Sequence, residues 1–279
     1  MMFRFVKDII SIILIKVSSI FDKNGIVILE YHRVSPNISP HDVHSIFPDE
    51  FRFQIKLMKD LGYKFIDLPH AIKLLKNGID NNAKYVVLTF DDGHKDNLKY
   101  AYPILKEFNA IATFFIISDY VGKNGWIDNF GQLHNKNNNN YQWWELLNWE
   151  EIISVNDHFL TQIHGKSHKQ LDTISLKDLD DELQISKTKI NNKLNINASV
   201  FCYPFGRFND QVISRTIKNG YIGACSTNKG INIPFQTNLW KLKRNEVGRG
   251  ISTNQFKLLL TNQIIFYDYL SSLFNLSKK

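Results

Sequence analysis

Two adjacent carboxylates close an apolar run in Val86-Val87-Leu88-Thr89-Phe90-Asp91-Asp92-Gly93. In parallel α/β architectures the carboxyl ends of strands are where active sites lie. Neighbouring residues on a strand point to opposite faces, so both aspartates serve one site only where the strand is ending, which Gly93 permits. A solvated turn with an aspartate capping the next helix has the same composition. A second apolar run, Phe159 to Ile163, leads into His164-Gly165-Lys166-Ser167-His168. If the turn after that run is helical, histidines at i and i+4 share a face and two imidazoles can reach one metal. One carboxylate with two imidazoles and open positions suits a catalytic divalent ion, with zinc the first choice. Two exposed histidines are the plainer alternative. A third run ends in Phe201-Cys202-Tyr203-Pro204-Phe205-Gly206. Proline closely followed by glycine makes a rigid turn, either a simple tight loop or an oxyanion hole with a backbone N–H facing a cleft.

These groups need a scaffold of strands and helices, and the chain has the material for one. Its 279 residues are 43% hydrophobic and 22% charged, with 20 Phe, 11 Tyr and 5 Trp. That mixture excludes wholesale disorder, collagen and coiled coil. Two cysteines, Cys202 and Cys225, exclude a disulfide-dense scaffold. The net charge of +7 suits an acidic surface such as anionic lipid, but the basic residues are scattered and no nucleic-acid module is expected.

Periodicity predicts strands at 26–29, 63–66, 85–90, 111–117, 159–163, 200–203 and 221–224. Helices are predicted near 49–61, 69–76, 97–108, 149–155, 176–194 and 210–218, with a long loop over 33–48. Strand–helix alternation of this kind gives parallel βαβ units, a barrel or a doubly wound sheet. Residues 118–148 form an inserted loop containing the low-complexity run Lys136 to Asn140 and three tryptophans, Trp126, Trp143 and Trp144. These rings either stack on sugars or pack on the barrel.

Residues 1–24 are a separate amphipathic segment, 25–254 the main domain and 255–279 a helical tail. The first segment's longest apolar run is seven residues at most, Ile9 to Ile15 with Ser11 inside it, far short of the roughly 20 a spanning helix needs. It reads as an interfacial helix on an anionic membrane, with Arg4, Lys7 and Lys16 facing lipid phosphates. A helix packed on the domain and a secretory signal are the alternatives. The expected location is therefore cytoplasmic and peripheral to the membrane, or exported if the segment is a signal.

The three chemical elements, in this order, resemble the polysaccharide deacetylases, the NodB-homology group also called carbohydrate esterase family 4. Thr89 to Gly93 looks like the family's first motif, His164 to His168 its second and Tyr203 to Gly206 its third. The similarity runs from about Ile26 to Val247. It implies a distorted (β/α)7 barrel and metal-dependent hydrolysis of an N-acetyl group on a sugar of a polysaccharide or glycolipid. By the same resemblance Asp92, His164 and His168 hold the metal and Asp91 is the general base. The Phe205 backbone N–H meets the oxyanion.

Two departures stand out. The family's base-orienting arginine is replaced by Cys202, and Arg244 resembles an arginine of a variant branch that can substitute. No histidine follows His168 to act as general acid. His32, in Glu30-Tyr31-His32-Arg33-Val34, resembles the Y-H-x-V opening of that branch, which includes poly-N-acetylglucosamine deacetylases, and is the expected acid. His94 is the second choice. A catalytically silent carbohydrate-binding protein on this fold and a small-amide metal hydrolase are the competing functions. The sugar and the oligomeric state are not legible in the sequence.

Overall fold

A computed structural model describes residues 2–21, 24–38, 42–80, 82–128, 130–135 and 144–273. Its centre is a parallel sheet of eight strands: β1 (Ile26–Tyr31), β2 (Tyr63–Phe65), β3 (Lys84–Phe90), β4 (Ala112–Ile116), β5 (Phe159–Ile163), β6 (Val200–Cys202), β7 (Gly223–Cys225) and β8 (Asn245–Glu246). Seven of them follow one path, β7-β6-β5-β4-β3-β1-β8, while β2 pairs only with the first half of β3. The two ends of the path approach one another through a parallel bridge between Cys225 and Leu242. The result is the curled parallel sheet of a distorted (β/α)7 barrel.

Alternation along the strands sorts the side chains. Ile26 and Ile28 of β1, Val87 of β3, Phe115 of β4, Cys202 of β6, Cys225 of β7 and Leu242 form one buried cluster, the barrel interior. The opposite-facing residues, among them Val27, Leu29, Tyr31, Leu88, Phe90 and Phe114, pack under the helices. At a period of two, the interior row of β1 continues into Glu30 and His32. That of β3 continues into Thr89 and Asp91, and Leu242 continues into Arg244 and Glu246. The apolar interior thus becomes charged at the carboxyl ends of the strands.

The outer helices are α1 (Met2–Phe21), α2 (Pro48–Asp60), α3 (Leu68–Asn77), α4 (Asp96–Phe108), α5 (Trp149–Val155), α6 (Leu176–Leu194), α7 (Asp210–Lys218), α8 (Thr253–Leu259) and α9 (Ile264–Leu273). Several starts are capped by side chains, for example Asp67 on α3, Asn148 on α5 and Ser175 on α6. α1 packs on α8 and α9, so the first and last described helices lie together. Among the described residues no helix is long and apolar enough to cross a membrane.

Three expectations need correction. Residues 33–48 are not simply a loop: Arg33–Val34 and Ser45–Ile46 pair as two short parallel strands, tied by an ion pair of 2.7 Å between Arg33 and Asp42. The insertion contains a small antiparallel sheet of Asn124–Ile127, Leu133–His134 and Trp144–Glu145. Lys136 to Asn140 and Trp143 lie outside the described residues. The turn after β5 is not helical, because Gly165 (φ +78°) and His168 (φ +57°) are both left-handed.

Candidate active site

The charged ends of the interior rows line a cavity of about 340 Å³ whose walls include His32, His44, Asp91, His164, His168 and Arg244. Asp92, His164 and His168 meet there from two loops. Asp92 Oδ1 is 3.5 Å from His164 Nε2 and 3.4 Å from His168 Nε2. Since the segment is not a helix, i,i+4 geometry does not bring the imidazoles together; loop packing does. Glu182 of α6 is buried and accepts hydrogen bonds from the Lys166 N–H at 2.8 Å, the Ser167 N–H at 2.9 Å and the Ser167 hydroxyl. From the insertion, Gly131 presses its backbone on the same loop. Its φ is +87°, and a Cβ there would stand 1.8 Å from the His168 carbonyl oxygen. The Tyr120 hydroxyl lies 2.7 Å from the Gly131 carbonyl and 3.1 Å from that of Ser167, tying hairpin to loop.

The donor set fits a divalent ion. His164 Nδ1 lies 2.9 Å from the Cys202 carbonyl. A carbonyl only accepts, so Nδ1 carries the proton and Nε2 presents its lone pair. Asp92 Oδ1 is buried and has no hydrogen-bond partner among the described residues, which is costly for a carboxylate oxygen unless a cation faces it. Burial alone would raise the Asp92 pKa, but the hydrogen bond from His94, 3.4 Å from its Oδ2, holds it well below the usual range. Burial takes His168 down to about 3, so its imidazole is neutral, as a metal ligand must be.

Asp91 faces a different neighbour. Arg244 is fully buried and grips it with both ends of the guanidinium, Nη1 to Oδ1 and Nη2 to Oδ2, each at 2.8 Å. The same side chain donates to the Ser226 carbonyl at 3.0 Å and to the Thr89 hydroxyl at 3.1 Å, and Glu30 lies 3.3 Å away. Burial pushes the Asp91 carboxyl up, yet the charge and hydrogen bonds of Arg244, with His164, bring it to about 2. Cys202 occupies the place expected of an arginine, and its Sγ is 3.6 Å from Asp91 Oδ2. Arg244 reaches the base instead from the residue just before β8, which lies next to β1.

His32 follows β1 on the same rim, and its side chain lies with those of Glu30 and Asp91, ligand atoms within 4.8 Å of one another. His94, the second choice, is buried beneath Asp92 and edge-on to Trp144 at 4.5 Å. The ring of Phe205 rests 4.6 Å from that of His168. Its turn is closed by the N–H groups of Gly206 and Arg207, which leaves the Phe205 N–H outside the turn's own bonds. Asp92, His168 and Phe205 all hold positive φ (73°, 57° and 58°), strain of the kind that collects at functional sites. Trp126 is stacked on His134 at 4.2 Å and has one face already covered.

Two participants were missed from sequence. His44, from the loop after β1, lines the cavity with its ring 4.7 Å from that of His32 and its Nδ1 2.7 Å from Glu246 Oε1. Glu246 raises the His44 pKa, chiefly through that hydrogen bond. Glu182 is the other. Neither carries a local signal: His44 sits in an aperiodic stretch, and Glu182 in an acidic run that reads as a solvated helix face.

Comparison with known proteins agrees with this geometry. The polysaccharide deacetylase family profile matches residues 78–224. YxkH of Bacillus subtilis, which carries the same family designation, is 27% identical over 229 residues, 82% of this chain and 74% of its own. A poly-β-1,6-N-acetyl-D-glucosamine N-deacetylase of Staphylococcus epidermidis is 27% identical over 213 residues, 72% of this chain and 71% of that protein. Among solved structures, the Streptococcus pyogenes deacetylase PplD in complex with acetate superposes with a TM-score of 0.70 at 28% identity, covering 85% of this chain and 98% of that one.

Proposed function

The chain belongs to the polysaccharide deacetylase family, a family of hydrolases, and from that premise we propose that it is a metal-dependent N-deacetylase acting on an N-acetylated glycan. One observation carries the reading. Asp92, His164 and His168 converge on one point of a cavity in which Asp91 is separately held ionised by Arg244. A binding module needs no such division between two adjacent carboxylates.

Asp92, His164 and His168 would hold the ion. A divalent metal there supplies Lewis-acid chemistry, polarising the acetyl carbonyl and easing deprotonation of water. Two imidazoles and a carboxylate favour zinc. Asp91, with a pKa of about 2, is ionised at any working pH and accepts the proton of the attacking water. The Phe205 N–H donates to the oxygen that becomes negative as water adds to the acetyl carbon. His32, beyond β1, gives a proton to the nitrogen as the carbon–nitrogen bond breaks, releasing acetate and a free amine. Trp144, Asp128 and Phe205 wall the cavity where sugar would lie.

The test is acetate release by the purified chain from N-acetylglucosamine oligomers, the β-1,6-linked polymer first because the Staphylococcus epidermidis relative is named for it. Activity should need added divalent metal. His164→Ala should lose both metal and turnover, and equal metal in the two proteins by elemental analysis refutes the ligand set.

A further inference from the structure

We propose that the outward face of α1, together with the adjoining surface of α9, docks on the interface of an anionic lipid bilayer. This goes beyond the catalytic reading and does not depend on it. α1 is apolar on two sides. Its inner side is already used: Ser11 and Leu14 are buried, Ile10 and Ile15 pack against the core, and Asp8 accepts a hydrogen bond from the Ser252 hydroxyl at the start of α8. A helix sealed in this way should be polar on its other side. Instead Val6, Ile9, Ile12 and Ile13 stand 37%, 41%, 41% and 55% exposed. At 100° per residue these four fall within a single arc, and Lys16 lies inside it. α9 packs against α1 and adds Ile265, Phe266 and Tyr269, exposed by 45%, 48% and 58%.

Seven large exposed apolar side chains on two touching helices call for a cover. The charge around them selects which. Lys16 lies within the arc and the segment from Gly248 through α8 adds Arg249 and Lys257, against Asp8, which is bonded to Ser252, and Asp268. Asp268 is already paired with Lys229 at 2.6 Å. Two copies of this face would oppose like charges, whereas an anionic surface complements it. The aliphatic arc gives shallow burial in the boundary between headgroups and acyl chains, and Tyr269 is of the type that sits at that boundary.

Sedimentation with phosphatidylcholine vesicles, with and without phosphatidylglycerol, tests this on the full chain. The wild type should partition onto the anionic vesicles, less so in high salt. Ile9→Glu/Ile13→Glu changes only exposed positions, so thermal melting should be retained while partitioning falls about tenfold or more. Acetate release from a soluble oligosaccharide should be the same in both proteins, which separates this proposal from the catalytic one. Wild type that stays in the supernatant overturns the proposal, as does a double variant that binds equally well. A wild-type dimer that ignores vesicles and is dissociated by the double substitution would assign the face to a second copy and overturn it as well.

Discussion

Removing Arg244 should damage stability and chemistry together, with a pH signature that separates the two. The guanidinium is about 1% exposed and is the buried cation between Asp91 and Glu30. In Arg244→Met the methylene volume is largely kept, but two buried carboxylates face each other without their partner. Breaking a buried pair from one side costs about 3–5 kcal/mol. The part assignable to Asp91 follows from its pKa of about 2 against 3.8 for a free aspartate. At about 1.4 kcal/mol per pH unit that is roughly 2–3 kcal/mol. Because the folded pKa is the depressed one, this stabilisation is present above about pH 4 and is lost as pH falls through 4 toward 2. The gap in melting temperature between wild type and variant should therefore be widest at neutral pH, about 6–15 °C, and should close across that acid window. Activity should report the same group. With burial no longer opposed, the Asp91 pKa rises above 3.8, and the acid limb of kcat/KM for acetate release moves up with it. Arg244→Lys, one ammonium in place of a fork, should fall between the two. A methionine variant that melts within 1 °C of wild type at neutral pH, with its acid limb unmoved, would refute the reasoning.

Asp91→Asn keeps the shape and removes the accepting oxygen, so turnover should drop by about 10²–10⁴ while metal content by elemental analysis stays the same. His32→Ala should lower kcat far more than it raises KM while metal content is retained; an unchanged kcat would move the acid role elsewhere. Glu182→Gln replaces one acceptor oxygen by an NH2 facing N–H donors, so metal affinity in a chelator competition should weaken about 10–100-fold with the fold intact by circular dichroism. Glu246→Gln removes the main cause of the raised His44 pKa. The His44 ring-proton titration in NMR should then shift to lower pH, and a fixed midpoint would show that the 2.7 Å contact does not govern it.

Much of this architecture is written locally and was readable. α5, α6, α7 and β5 coincide residue for residue with the predicted elements, because apolar period and caps such as Asn148 and Ser175 are short-range signals. The aspartate pair was legible for a similar reason, an apolar run stopping at glycine. What failed was tertiary. Gly165, directly after His164, is a local warning against a helical turn, and its left-handed φ is what the fold uses. Glu182 and His44 act through partners 15 and 202 positions away in sequence, and no local period encodes such pairings. That Arg244 could stand in for the missing arginine came from the resemblance; only β8 lying beside β1 shows how a residue 153 positions from Asp91 reaches it.

That neighbourhood has a consequence for synthesis on the ribosome. β1 is made early, yet its outer edge is covered by β8, through Leu29 with Asn245 and Glu30 with Glu246. Until those residues emerge, the Leu29–Glu30 end of a buried apolar strand stands without its ladder partner, a template for pairing with another nascent chain. Over the same interval Asp91 and Glu30 lack the guanidinium that lets them be buried together. Closing the barrel and neutralising its interior are one event, delivered by a few residues some two hundred positions after the strand they complete. Translation stalled just short of Arg244 should therefore leave an aggregation-prone species rather than a weakened enzyme, and a holdase that shields strand edges would be needed most during the last part of synthesis.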